Sequence, residues 1–103
     1  MRTEKALEKW AVSAAKKRGI YAVKLVLLQG GGWPDVAFFQ DGKVAFLELK
    51  KDEKSKFQPL QKYYLGKLND MGFQAGVAWS NDMVMEFLDV FEGKEQDNGE
   101  TTA

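Results

Sequence analysis

The chain contains no cysteine and no histidine. That double absence excludes disulfides, zinc centres built from Cys and His, and nucleophilic catalysis of the Ser-His-Asp or Cys-His kind. Chemistry is left to carboxylates, lysines, hydroxyls and a hard metal ion. An excess of either charge is also lacking, because 15 basic and 15 acidic side chains cancel. A constitutive nucleic-acid binder is usually basic overall, so neutrality counts against tight non-specific binding, although local basic patches remain open. No stretch approaches the roughly 18 apolar residues of a membrane span. The segment Met1-Arg2-Thr3-Glu4-Lys5 has no signal-peptide core, so a soluble, cytoplasmic protein without a membrane partner is expected. Gly30-Gly31-Gly32 lacks the G-x-G-x-x-G spacing and precedes a strand instead of a helix, which argues against a nucleotide cofactor. More in keeping with a loop, the three glycines would let backbone approach a ligand or bend around a site.

What is present suffices for one domain. The 103 residues are 45% hydrophobic and 13% aromatic, enough for a core and too few for two domains. Residues 1–92 are expected to form the domain, and the polar residues 93–103 a disordered tail.

The clearest local signal is a hairpin running from Trp33 to Lys50. Asp41-Gly42 between two apolar runs predicts a two-residue type I′ turn. That turn pairs Gln40 with Lys43, Phe39 with Val44, Phe38 with Ala45, Ala37 with Phe46 and Val36 with Leu47. Asp35 then falls opposite Glu48, and Glu48 and Lys50 share its face. Directly opposed side chains have Cβ atoms roughly 5 Å apart. Two carboxylates at about that distance repel by roughly 3 kcal/mol at an effective dielectric near 20. The repulsion is relieved if one carboxylate keeps its proton or if a divalent cation sits between them. Magnesium is commonly held by one or two carboxylates completed by water and substrate phosphate, and a neighbouring lysine can steady a phosphate or an attacking water. Any one of these residues at the end of a hairpin is ordinary; Trp33-Pro34-Asp35 followed by Glu48-Leu49-Lys50 points to a metal-dependent phosphodiester hydrolase.

The remaining pattern predicts α-β-β-β-α-β-α, a small mixed sheet with helices on both faces, in the α/β or α+β class. Helices are expected from Thr3 to Arg18 and from Pro59 to about Met71, with a last helix after the cap Ser80-Asn81. Strands are expected over Tyr21–Leu28 and Gln74–Trp79, besides the hairpin. Gln61 lies on the inward stripe of the second helix with Tyr64, Leu65 and Leu68; a buried amide must find partners there, by returning over the carboxylates or by capping backbone. Glu8 lies beside the apolar stripe of the first helix, where periodicity favours a solvated carboxylate paired with a lysine; Glu4 is one turn earlier. Lys51, Lys54, Lys56 and Lys62 flank the second helix start and are candidates for phosphate contact, with Lys16, Lys17 and Arg18 as a second cluster.

Taken together, Glu8, the glycine-rich approach to Pro34-Asp35, Glu48-Leu49-Lys50, Gln61 and the Gly72-Phe73 strand entry resemble the PD-(D/E)xK nuclease superfamily. More narrowly, the chain is similar to the virus-type replication-repair nuclease (VRR-NUC) domain in its small stand-alone phage or bacterial form. The resemblance covers roughly Thr3 to Phe91. It implies a restriction-endonuclease-like core and Mg²⁺- or Mn²⁺-dependent DNA cleavage. Asp35 and Glu48 would be metal ligands, with the Leu49 carbonyl as another. Lys50 would position or activate water, Gln61 would orient the lysine, water or phosphate, and Glu8 would complete the metal shell directly or through water. Trp33 departs from the small residue expected before Pro34-Asp35, which bears on substrate approach. Stand-alone members look like homodimeric, structure-selective endonucleases acting on branched DNA, similar to Holliday-junction resolvases of DNA repair. The last helix, through Met83, Phe87 and Phe91, is the expected dimer face. An end-processing exonuclease on the same core and a non-catalytic DNA-binding module are the alternatives.

Overall fold

A computed structural model describes residues 3–94. The expected tail beyond Lys94 lies outside the described residues. The elements are α1 (Glu4–Lys17), β1 (Tyr21–Lys24), α2 (Val26–Gln29), β2 (Val36–Gln40), β3 (Lys43–Leu49), α3 (Pro59–Asp70), β4 (Gln74–Ala78) and α4 (Asn81–Phe91). They form a mixed four-stranded sheet in the order β1-β2-β3-β4, flanked by helices. The strands β1, β2 and β3 are antiparallel neighbours, and β4 runs parallel to β3 after the α3 crossover.

Local chemistry accounts for most boundaries. Thr3 caps α1 by accepting from the Ala6 N–H at 3.0 Å. Leu7, Ala11 and Ala15 form its buried stripe at four-residue spacing. Asp41 and Gly42 have φ of 51° and 77°, the paired positive values of a type I′ turn. The hairpin register is the expected one from Gln40↔Lys43 to Val36↔Leu47. Pro59 opens α3, Ser80 caps α4 through the Met83 N–H, and Gly93 and Lys94 close α4 by hydrogen bonds to Val90 and Asp89 carbonyls.

The strand expected over Tyr21–Leu28 stops at Lys24, and Val26–Gln29 coils into one helical turn. In the β1–β2 register the residue opposite Val26 is Pro34, which has no N–H to give, so the ladder ends with the Leu25 N–H on the Asp35 carbonyl.

Alternation along the hairpin divides the molecule. Val36, Phe38, Ala45, Leu47 and Leu49 enter one core with Leu7, Ala11 and Ala15 of α1 and Val84, Leu88 and Phe91 of α4. Phe46, one position out of step, meets Trp33 and Phe73, and Trp33 stacks on Tyr64 of α3 at 5.1 Å between centroids. Glu48 and Lys50 belong to this second side. Of the expected dimer face, Phe91 is buried, while Phe87 packs on Phe38 and Met83 against the core with both still partly exposed. Those side chains help cover the sheet, because among the described residues α1 and α4 form that layer.

Candidate active site

Asp35 sits one residue before β2, anchored by buried Pro34 and by Trp33 wedged between Phe46 and Tyr64. Trp33 therefore fastens the loop that presents Asp35. The regular ladder ends at Val36↔Leu47, so Asp35 and Glu48 do not form a further rung as expected. Asp35 instead turns its Oδ2 onto the Leu49 N–H at 2.7 Å. Pro34 explains the difference: a proline at the strand entrance closes off the ladder and frees Asp35 to cap the partner strand.

Glu48 and Lys50 are 3% and 7% exposed, the only charged residues buried among those described. Buried charges need partners, and Gln61 supplies them. Its Nε2 donates to Glu48 Oε2 at 2.9 Å and its Oε1 accepts from Lys50 Nζ at 2.9 Å. The same Oε1 accepts from the Gln58 N–H at 2.8 Å, completing a capping box at the start of α3. Both sequence readings of Gln61, returning over the site and capping backbone, hold at once. Lys50 Nζ also donates to the Lys56 carbonyl at 3.2 Å, lies 3.5 Å from Glu48 Oε2, and stands 4.9 Å from the centre of the Phe57 ring.

The field at this site is negative. Asp35 is pushed up to about 6, chiefly by burial, with Glu8 and Glu4 adding to the rise and the Leu49 N–H and Lys50 opposing it. Glu48 is pushed up to about 7, again chiefly by burial and next by Asp35, against the pull of Lys50. One buried ammonium does not offset these carboxylates.

Glu8 pairs with Lys24 at 3.6 Å as periodicity favoured, but its side chain is only 16% exposed and not solvated as expected, and its charge reaches Asp35. Among the described residues no group of three or more His, Cys, Asp and Glu is placed to hold a metal ion, so Glu8 does not join Asp35 and Glu48 in a ready-made cage. The donors that fit a hard cation are two carboxylates, with backbone, water and phosphate oxygens left to complete the shell, the usual pattern for Mg²⁺. Lys51, Lys54, Lys56 and Lys62 are all exposed, as phosphate contact requires. Arg18 leaves the second basic cluster: its guanidinium pairs with Asp89 at 2.8 Å and Glu92 at 3.0 Å, tying α1 to α4. Sequence reasoning missed Phe57 and the Lys56 carbonyl. A lone aromatic within the charged 51–57 loop was the one signal for them.

No protein-family model matches the chain, and no curated protein or solved structure does either.

Proposed function

We propose that this chain is a metal-dependent DNA endonuclease with a restriction-endonuclease-like core, of the PD-(D/E)xK superfamily and its VRR-NUC branch, selective for branched DNA and active as a homodimer. The observation that carries the reading is the buried Glu48–Gln61–Lys50 chain beside Asp35. Burying a carboxylate and an ammonium beside a second, half-buried carboxylate costs stability unless another charge joins them, which favours a site over a scaffold. Asp35 and Glu48 would hold Mg²⁺ or Mn²⁺ with help from the Leu49 carbonyl. When bound, the ion would polarise a phosphoryl oxygen and lower the pKa of water.

The chain's own groups do the rest. Gln61 holds Glu48 Oε2 and so sets the direction of its other oxygen. An ammonium has three donors. The Gln61 amide and the Lys56 carbonyl take two from Lys50, and the third faces Glu48 Oε2 at 3.5 Å, from where it would turn to the phosphate or the attacking water. The Phe57 ring and the start of α3 keep bulk water from the lysine. Lys51, Lys54, Lys56 and Lys62 would receive flanking phosphates, which makes binding salt-dependent.

The test compares cleavage of a four-way junction with linear duplex of the same sequence, in Mg²⁺, Mn²⁺ and chelator, using wild type, Asp35→Ala and Lys50→Ala. Paired symmetric nicks on the junction, lost in chelator and in both variants, are expected. Equal digestion of linear ends would favour an exonuclease. No cleavage by folded wild type with either ion would overturn the catalytic reading and leave a DNA-binding module.

A further inference from the structure

Beside Gln61 lies a cleft of about 490 Å³, within the size range of sites for small organic groups. The end of α2 and the glycine loop form one wall, through Gln29 and Gly32; the first turn of α3 forms the other, through Gln58, Leu60 and Gln61. The walls approach closely by construction. A Cβ on Gly32 would come within 2.5 Å of Leu60 Cβ, and its φ of +93° suits glycine alone.

The lining has a particular chemistry. Leu60 is half exposed and offers an apolar surface. Gln61 is taken up by its own network, but Gln29 gives only one N–H, to the Asp35 carbonyl at 3.5 Å, and Gln58 only its oxygen, to the α3 cap, so their amides keep donors, and Gln29 an acceptor, for a nucleobase edge. Next to the cleft, α2 has no charged residue and no buried side chain, and its Leu27 is 96% exposed. Exposed lysines around the start of α3 suit a polyanion. Gln61 belongs both to the cleft and to the Glu48–Lys50 network, so an occupant of the cleft is one side chain from the reacting centre.

Building on the nuclease reading, we propose that this cleft takes an unpaired nucleobase next to the scissile phosphodiester, with the apolar turn α2 wedged against the neighbouring base pair. A paired, stacked base has its edge and faces already occupied, and extracting it is costly. A base already open at a branch or bulge escapes most of that cost. The cleft thereby supplies the selection for branched DNA.

The test measures binding in Ca²⁺ by fluorescence anisotropy, comparing a matched duplex with the same duplex carrying a short bulge. A 2-aminopurine in the bulge reports its environment. Wild type is expected to bind the bulged DNA about tenfold more tightly, with a change in 2-aminopurine emission. Leu27→Ser and Leu60→Ser should each bring that ratio close to one, while Leu60→Met, which keeps the apolar surface, should retain it. A wild-type ratio near one overturns the proposal, as does a ratio that both serine variants leave intact. Loss of self-association in those variants with the ratio unchanged also overturns it, and assigns the patch to a second copy of the chain. Cleavage is read separately in Mg²⁺. Bulge preference without cleavage supports the cleft and sinks the nuclease reading, whereas cleavage with a ratio near one does the reverse.

Discussion

Glu48 and Asp35 couple the acid–base state of the site to folding. Both carboxyls bind protons more tightly in the folded chain, with pKa values of about 7 and about 6. Their contribution to stability is therefore complete below about pH 4 and is lost as pH rises through those values. In chelator the melting temperature should fall between pH 5 and pH 8 by several degrees, on the order of 1–3 kcal/mol after solvent screening. Glu48→Gln keeps the shape and should flatten that slope. On the proposed function, Mg²⁺ should recover the loss at pH 8 and do little at pH 5. Differential scanning fluorimetry across pH, with and without the ion, checks both; a slope unchanged in Glu48→Gln would refute the assignment. Gln61 is a positioning residue bonded to two buried charges and a helix cap. Gln61→Ala should cost about 1–3 kcal/mol in urea unfolding and reduce cleavage by roughly 10–100-fold. A loss of stability without any change in cleavage or in its pH profile would make it a cap alone. Its place on the inward stripe was legible from helical spacing. That it bonds both Glu48 and Lys50 was not, because only the α3 crossover sets it over the end of β3.

The turn α2 and the loop after it show how one element yields to its neighbour. Val26, Leu27 and Leu28 have strand-like composition, yet they coil because Pro34 denies them a ladder partner and leaves them exposed. The loop then passes so close to α3 that Gly32 has no room for a side chain, whereas a Cβ on Gly30 meets nothing within 4 Å. Gly32→Ala should therefore destabilise the protein by about 2 kcal/mol or more, and Gly30→Ala should stay within about 0.5 kcal/mol of wild type. Chemical denaturation of the two variants side by side makes the comparison, and equal effects would contradict the close approach. The β2–β3 hairpin was readable from Gln40↔Lys43 to Val36↔Leu47, since a two-residue turn of Asp and Gly sets register by itself. The glycine run was readable only as a loop, because the atom that crowds Gly32 belongs to Leu60, distant in sequence.

The described residues form a single sheet with α1 and α4 on one side and α3 on part of the other. Since Phe91 is buried in the core, substituting it tests folding and not association. Phe91→Ala should cost about 3–5 kcal/mol of stability with no selective loss of self-association. The proposed homodimer predicts sedimentation at twice the mass of one chain at micromolar concentration, and a monomer at every concentration would remove that part of the reading. No described helix is long and apolar enough to cross a membrane.

By itself the sequence determined what acts over short range: the helix cap at Ser80, the type I′ turn, the hairpin register, the inward stripes, and the placing of Glu48 and Lys50 on one face. These follow from periodicity and backbone preference within a few residues. The tertiary structure alone decided that Asp35 caps Leu49 instead of continuing the ladder, that Glu8 is held by Lys24, that Arg18 ties two helices, and that one glutamine joins both buried charges. Each depends on desolvation and on contacts between segments far apart in the chain, and those terms exist only once the sheet and helices have closed around them.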